Sequence, residues 1–97
     1  MNDNKNFGYL GYTFQLKLVN LIITDDNFFR SIIDAILAKY FDNQYFKLIM
    51  QLIKEYYEKY ETSPSFDALD QLTRIEISSE MARKNIFDML KEIKEAS

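Results

Sequence analysis

The carboxylates of Asp67 and Asp70 are the closest approach to a reactive pair in this sequence. Two such groups could bind a divalent cation, or could act as the acid and the base of a hydrolytic reaction. They follow Ser65, whose residue type commonly caps the N-terminus of a helix, so they fall in the first turns of a predicted helix. Because that end of a helix carries partial positive charge, stabilising it is the more common role for such a pair.

Two of the residue types that enzymes use most often are missing. The 97 residues include no histidine and no cysteine, which excludes imidazole bases, thiolate nucleophiles, disulfides and most zinc sites. The only glycines are Gly8 and Gly11, so there is no Gly-x-x-x-x-Gly-Lys-Ser/Thr loop for nucleotide phosphates. We therefore expect no catalytic, cofactor-binding or metal site in this chain. A helical hydrolase that uses carboxylates is the enzyme alternative, and it would need clustered acids beside a pocket.

The charged residues argue against nucleic acid as the main ligand. Fifteen acidic and 12 basic residues are mixed along the chain and give a formal net charge of −3, so no positive field is available to hold a phosphate backbone. No apolar run approaches the roughly 20 residues of a membrane-spanning helix. The polar start of the chain is unlike a signal peptide. We expect a cytoplasmic protein that contacts neither a membrane nor nucleic acid.

The composition predicts a single all-α domain of about five helices over residues 1–97. Two glycines and one proline leave few tight turns, and 47% hydrophobic residues can supply a core. The main body is predicted over residues 9–76, with a separate C-terminal helix. The helices are expected over residues 9–23, over residues 27–39, over residues 45–60 after a cap at Asp42 or Asn43, from Ser65 through Leu72, and over residues 79–96 after Ser78 or Ser79.

The first two helices are expected to face the core with one side each. The spacing of their apolar residues matches a helical period. The predicted core face of the first helix consists of Phe14, Leu18, Leu21 and Ile22. That of the second consists of Phe29, Ile32, Ile33, Ile36 and Leu37, with Phe28 at its flank.

The long third helix carries two apolar rows. The first row consists of Phe46, Ile49, Met50, Ile53, Tyr57 and Tyr60, and the second of Tyr45, Leu48, Leu52 and Tyr56. A surface helix usually buries one stripe only, so the second row indicates either a central helix of a monomeric bundle or a contact with another protein. We predict that the second row mediates self-association.

The last helix has a narrow apolar seam between charged residues, which is typical of a helix that packs along one edge. The seam consists of Ala82, Ile86, Met89, Leu90 and Ile93. Ordinary packing on the chain's own body is the more common explanation. The alternative is an arm that projects from the body, in which Ile86, Met89 and Ile93 pack in a helical hairpin or against a partner.

The order of these segments resembles that of the N-terminal domain of DnaB-type replicative DNA helicases, particularly phage members. The resemblance covers residues 14–72. It depends on residues 18–23, an acidic turn at residues 25–29, Tyr40-Phe41, the helix over 45–60, and Pro64-Ser65 before Ala68-Leu69.

This resemblance implies a ring collar without catalysis of its own. Such domains associate with their copies, as a dimer or within a hexamer, and offer a surface to a primase or a helicase loader. ATP and Mg²⁺ would belong to a motor domain that this sequence does not contain. The compartment would be the cytoplasm of a bacterial host. Residues 73–97 depart from the family pattern because they are short for a complete helical hairpin.

A freestanding small phage adaptor is the competing hypothesis. Such a protein would bind another protein through the same exposed apolar helix face. The adaptor would lack a downstream motor segment, whereas the helicase domain would be followed by one. The sequence of the natural gene beyond Ser97 distinguishes them.

Overall fold

The structure is a computed structural model that describes residues 10–96, and within that range it contains helices and no strand. The predicted all-α class is confirmed. Within residues 10–96, five α-helices follow one another, with a short 3₁₀ helix at Ala38–Tyr40 between the second and the third. They are α1 (Tyr12–Thr24), α2 (Asp26–Ile32), α3 (Gln44–Tyr60), α4 (Phe66–Glu76) and α5 (Glu80–Lys94).

Side-chain caps begin four of the helices. Asn43 Oδ1 accepts from the Tyr45 amide at 2.7 Å, and Ser65 Oγ accepts from the Ala68 amide at 3.0 Å. The carboxylate of Asp25 caps α2, and Ser79 Oγ caps α5. Each cap satisfies an amide that has no partner within its own helix. Of the alternatives left open in the sequence, the chain therefore uses Asn43 and Ser79.

The predicted second helix over residues 27–39 is wrong in its second half. Helix α2 ends at Ile32, residues 33–35 form a turn, and Leu37 is extended with φ −119° and ψ 145°. The Lys54 ammonium donates to the carbonyl of Ile36, which supplies a partner for a backbone group outside any helix. The break redirects the chain so that Phe41 reaches the core, where it is fully buried.

Residues with positive φ stand at the start of α1 and at the end of α3. Gly11, with φ 90°, stands immediately before α1, a conformation that glycine adopts at little cost. The predicted start of this helix at Tyr9 lies outside the described residues. Helix α3 ends at Tyr60, and Glu61 follows in the left-handed region with φ 59°. The third helix therefore finishes before Pro64, as the proline requires.

The core lies where α5 meets α1, α3 and α4. Helix α1 also contacts α2, and α3 contacts α4 and the 3₁₀ helix. The chain is 38 × 29 × 23 Å along its principal axes. No helix among the described residues has the length and apolar character needed to cross a membrane. The core consists of Leu16, Val19, Ile22, Phe29, Ile33, Ile36, Phe41, Phe46, Ile49, Met50, Leu52, Ile53, Leu69, Ile86, Met89, Leu90 and Ile93.

Helix α5 does not project from the body. The predicted main body over residues 9–76 therefore leaves out a helix that belongs to the same core. The side-chain amide of Asn20 donates to the carbonyl of Ile93 at 2.9 Å inside the bundle. The Tyr12 hydroxyl donates to Glu92 at 3.1 Å. These bonds and the apolar seam of α5 attach it to α1 as well as to α3 and α4. The last helix is therefore part of the single core.

Candidate interaction surface

The charged residues of the predicted pair do not form a metal site. Asp67 lies in the first turn of α4, beside the cap at Ser65. Among residues 10–96 no group of three or more acidic, histidine or cysteine side chains could hold a metal ion. Asp67 and Asp70 instead line a groove between α4 and α5.

The second row of α3 is used largely within the chain, which corrects the idea that it is surplus surface. Leu52 is buried, with 4% of its surface exposed. Tyr45, Leu48 and Tyr56 are half-buried. The Tyr45 hydroxyl accepts a hydrogen bond of 2.9 Å from the side-chain amide of Asn85 on α5. The row faces α4 and α5 because both helices pack against α3. Self-association through these four residues stays a prediction, and Leu52 is not available for it without a rearrangement.

The three predicted packing residues of α5 are also internal. Ile86 and Ile93 are fully buried, and Met89 is 5% exposed. They belong to the same cluster as the core residues of α1, α3 and α4. Their expected role in a hairpin or a partner contact is therefore corrected to packing within this chain. A narrow seam on a helix needs only one set of neighbours, and here α1, α3 and α4 provide it.

An apolar concave surface lies between α1 and α2. We call it the α1–α2 groove; its volume is about 310 Å³, and it is lined by Phe14, Leu18, Phe28, Ile32, Ala35, Ile36 and Tyr40. All of these lining side chains are uncharged. Phe14 is 40% exposed, although it was expected in the core, and Leu21 on the same helix is 42% exposed. Ile22 is buried as predicted, and the inner side of α1 also holds Leu16, Val19 and two polar residues.

Those two polar residues explain the orientation of α1. Gln15 and Asn20 are buried, with 0% and 7% exposure. Gln15 donates to the Gly11 carbonyl at 3.2 Å and accepts from the Asp42 amide at 3.4 Å, and Asn20 donates to Ile93. Their hydrogen bonds hold one side of α1 towards the bundle and leave Phe14 and Leu21 outward.

A second groove runs between α3 and α4. We call it the α3–α4 groove; its volume is about 350 Å³, and it is lined by Leu52, Glu55, Tyr56, Glu58, Lys59, Tyr60, Leu72 and Glu76. The rings of Tyr56 and Tyr60 lie 4.6 Å apart, and Tyr60 is 61% exposed. Its lining combines apolar and aromatic side chains with three glutamates and one lysine.

A third groove, between α4 and α5, has the opposite charge. We call it the α4–α5 groove; its volume is about 340 Å³, and its charged lining consists of Arg74, Lys91, Lys94, Asp67 and Asp70. The Arg74 guanidinium carbon lies 4.9 Å from the centre of the Phe87 ring, and Lys94 Nζ lies 5.8 Å from that of Phe66. Such contacts between a cation and a ring are attractive and help to fix the two helices to each other.

The resolved pKa shifts lie outside these grooves. Burial and the hydrogen bond to Glu92 raise the pKa of the Tyr12 hydroxyl. The ion pair with Asp26, one helical turn away, raises the pKa of the exposed Arg30 guanidinium. Neither group lies beside a second reactive side chain in an enclosed cavity.

Comparison with known proteins does not assign the chain to a family. No protein-family model, no curated protein and no solved structure matches it.

Proposed function

We propose that this chain is a non-catalytic assembly domain, the N-terminal domain of a DnaB-type replicative helicase. It associates with its copies and offers a surface to a primase or a helicase loader. The support is the order of its helices: a long α3, a turn that contains Pro64, and a capped α4. ATP and Mg²⁺ act in the motor domain of the parent protein.

The observation that carries the interaction part of this proposal is the α1–α2 groove. Apolar surface exposed to water costs roughly 25 cal/mol per Å² relative to burial. Contiguous exposed apolar patches on soluble proteins commonly mark contacts with other proteins. The groove of about 310 Å³ has no charged side chain in its lining, and Phe14 at its edge is 40% exposed. Leu18, Phe28 and Ile32 are half-buried there, packed against the buried core. Self-association through this groove would remove their remaining surface from water.

This surface replaces the second row of α3 as the main contact between copies. Leu52 lies inside the chain, and Tyr45 already has a partner in Asn85. The Leu52→Glu change would bury a charge in the chain's own core and would unfold the domain whether or not copies associate. A variant in the α1–α2 groove that spares the core is the better test. Ala35 is suitable because it lines the groove and is exposed.

The first experiment measures the molar mass of the chain by light scattering over a range of concentrations. We expect a mass above that of the 11.6 kDa monomer that rises with concentration. Ala35→Glu should shift the chain towards monomer, because association would place an unpaired carboxylate in an apolar contact. Met81→Glu is the matched control, since Met81 is 74% exposed on α5 and lines none of the three grooves. A monomeric wild type, or an equal shift in both variants, would contradict self-association through this groove.

A second experiment tests the helicase assignment separately. The natural gene is sequenced beyond the codon for Ser97. A phosphate-binding loop followed by motor motifs in the same reading frame supports the helicase domain. A stop codon directly after Ser97 contradicts it and favours the freestanding adaptor, whose binding role uses the same groove.

A further inference from the structure

We propose that the α3–α4 groove binds a segment of a partner protein in which lysine or arginine side chains alternate with aliphatic ones at helical spacing. This inference rests on the docking part of the proposed function and names the chemistry of the partner. It uses a different surface from the α1–α2 groove, so the two can fail independently.

The apolar part of the groove supplies the contact area. Leu72 of α4 is half-buried there, and Tyr56 and Tyr60 extend the apolar surface towards the end of α3, above the buried Leu52. The two rings are tilted by 48°. Tyrosine rings accept both aliphatic side chains and cations on their faces, so they favour a segment that carries both.

The charged side chains of the groove favour a partner segment that carries positive charge. Glu55, Glu58 and Glu76 outnumber Lys59 by three charges to one, which leaves a net charge of −2 in the lining. Among residues 10–96 the ion pairs join Arg30 to Asp26 and Lys84 to Asp88, and none uses these glutamates. The three carboxylates are exposed and are therefore available to cations from outside the chain.

The positions of these carboxylates are unfavourable for the helices that carry them. Glu58 lies in the last turn of α3, and Glu76 is the last residue of α4. The C-terminal end of a helix carries partial negative charge, so a glutamate there is repelled rather than stabilised. Each helix end also carries a cation, Lys59 on α3 and Arg74 on α4. Arg74 lies against Phe87 in the α4–α5 groove, so the carboxylates remain in excess in the α3–α4 groove.

Other ligand classes fit less well. Phosphate backbones of nucleic acid would be repelled by the same charges. A metal ion would need several ligands that converge, and no such group exists among the described residues. The groove volume of about 350 Å³ suits a few side chains of a docked helix.

The experiment uses the full 97-residue chain labelled with ¹⁵N and a synthetic amphipathic peptide of leucine and lysine, about four helical turns long. We expect amide shifts at Tyr56, Tyr60 and Leu72 on titration. The double variant Glu55→Gln/Glu58→Gln should weaken binding by roughly tenfold and reduce its dependence on salt. The matched double variant Glu80→Gln/Glu95→Gln makes the same change in net charge at the two ends of α5 and should bind like the wild type. All four glutamates are exposed, so folding is preserved.

Substitutions of one tyrosine separate ring contact from charge. Tyr60→Phe should keep the affinity, and Tyr60→Ala should weaken it several-fold because the ring face is lost. The proposal is overturned if the peptide causes no shifts. It is also overturned if the shifts map to the α1–α2 groove, or if both glutamine double variants weaken binding equally, since net charge alone would then explain the attraction. The light-scattering result for Ala35→Glu reports on self-association, whatever the peptide does.

Discussion

Helices α5 and α1 both carry apolar residues, and the bundle uses them differently. Helix α5 meets three other helices, and Ile86, Leu90 and Ile93 are all buried. Helix α1 meets α5 and the short α2, and its outward side keeps Phe14 and Leu21 about two-fifths exposed. The difference teaches that an apolar stripe shows which side of a helix avoids water. The number of neighbouring helices decides whether that side becomes core or a surface for another protein.

Two adjacent phenylalanines on α2 give the largest test of this comparison. Phe29 is fully buried, and its ring centre lies 5.2 Å from that of Tyr57. Phe29→Ala should lower the free energy of unfolding by about 3–5 kcal/mol, because it leaves a cavity. Phe28 is half-buried in the α1–α2 groove, and Phe28→Ala should cost roughly half as much or less. Urea denaturation measures both. Equal losses would mean that the groove is enclosed like the core and would remove the distinction between the two regions.

The next largest effect is expected on substitution of a core residue of α5. Ile93→Ala should cost about 2–5 kcal/mol, since Ile93 is fully buried in the common core. Met81→Ala on the same helix should change stability by no more than about 0.5 kcal/mol. The midpoint of urea unfolding and the cooperativity of the transition are the readouts. If α5 were a separate arm, Ile93→Ala would leave the main transition unchanged.

The general architecture could be predicted from the sequence because it depends on local signals. Apolar residues at helical spacing indicated the long α3, and Pro64 with Ser65 marked the change from α3 to α4. Asn43 and Ser79 were each one of two neighbouring candidates for a cap. Such signals depend on a few adjacent residues, so they do not require knowledge of the tertiary contacts.

The surfaces could not be predicted because they depend on distant residues. Nothing near Phe14 in the sequence reveals that Gln15 and Asn20 will face the bundle. That orientation depends on partners at Asp42 and Ile93, far along the chain. The end of α2 at Ile32 also follows from tertiary packing, since the apolar spacing continues past it.

The buried hydrogen bond of Asn20 sharpens the comparison at the contact between α1 and α5. Its side-chain amide donates to the Ile93 carbonyl at 2.9 Å, with 7% of the residue exposed. Asn20→Ala should cost about 0.5–1.5 kcal/mol, because this buried hydrogen bond is lost while backbone amides at the end of α5 still donate to the Ile93 carbonyl. Asn27→Ala is the control, since Asn27 is exposed on α2 and should change stability by about 0.5 kcal/mol or less. Similar effects from the two variants would mean that α1 is not oriented by this bond.

The smallest expected effect is at the other hydrogen bond between these helices, from Tyr12 to Glu92. Tyr12 is 42% exposed, so Tyr12→Phe should cost only about 0.5 kcal/mol at neutral pH. Burial and Glu92 raise the pKa of this hydroxyl in the folded chain. Its contribution is therefore fully present below the unfolded pKa of about 10 and is lost as the pH rises through the folded value. The difference in unfolding free energy between wild type and Tyr12→Phe should shrink in that window. A difference that grew instead would mean that the ionised hydroxyl is stabilised in the folded chain. The contact between α1 and α5 would then contain a cation that the structure does not place beside Tyr12.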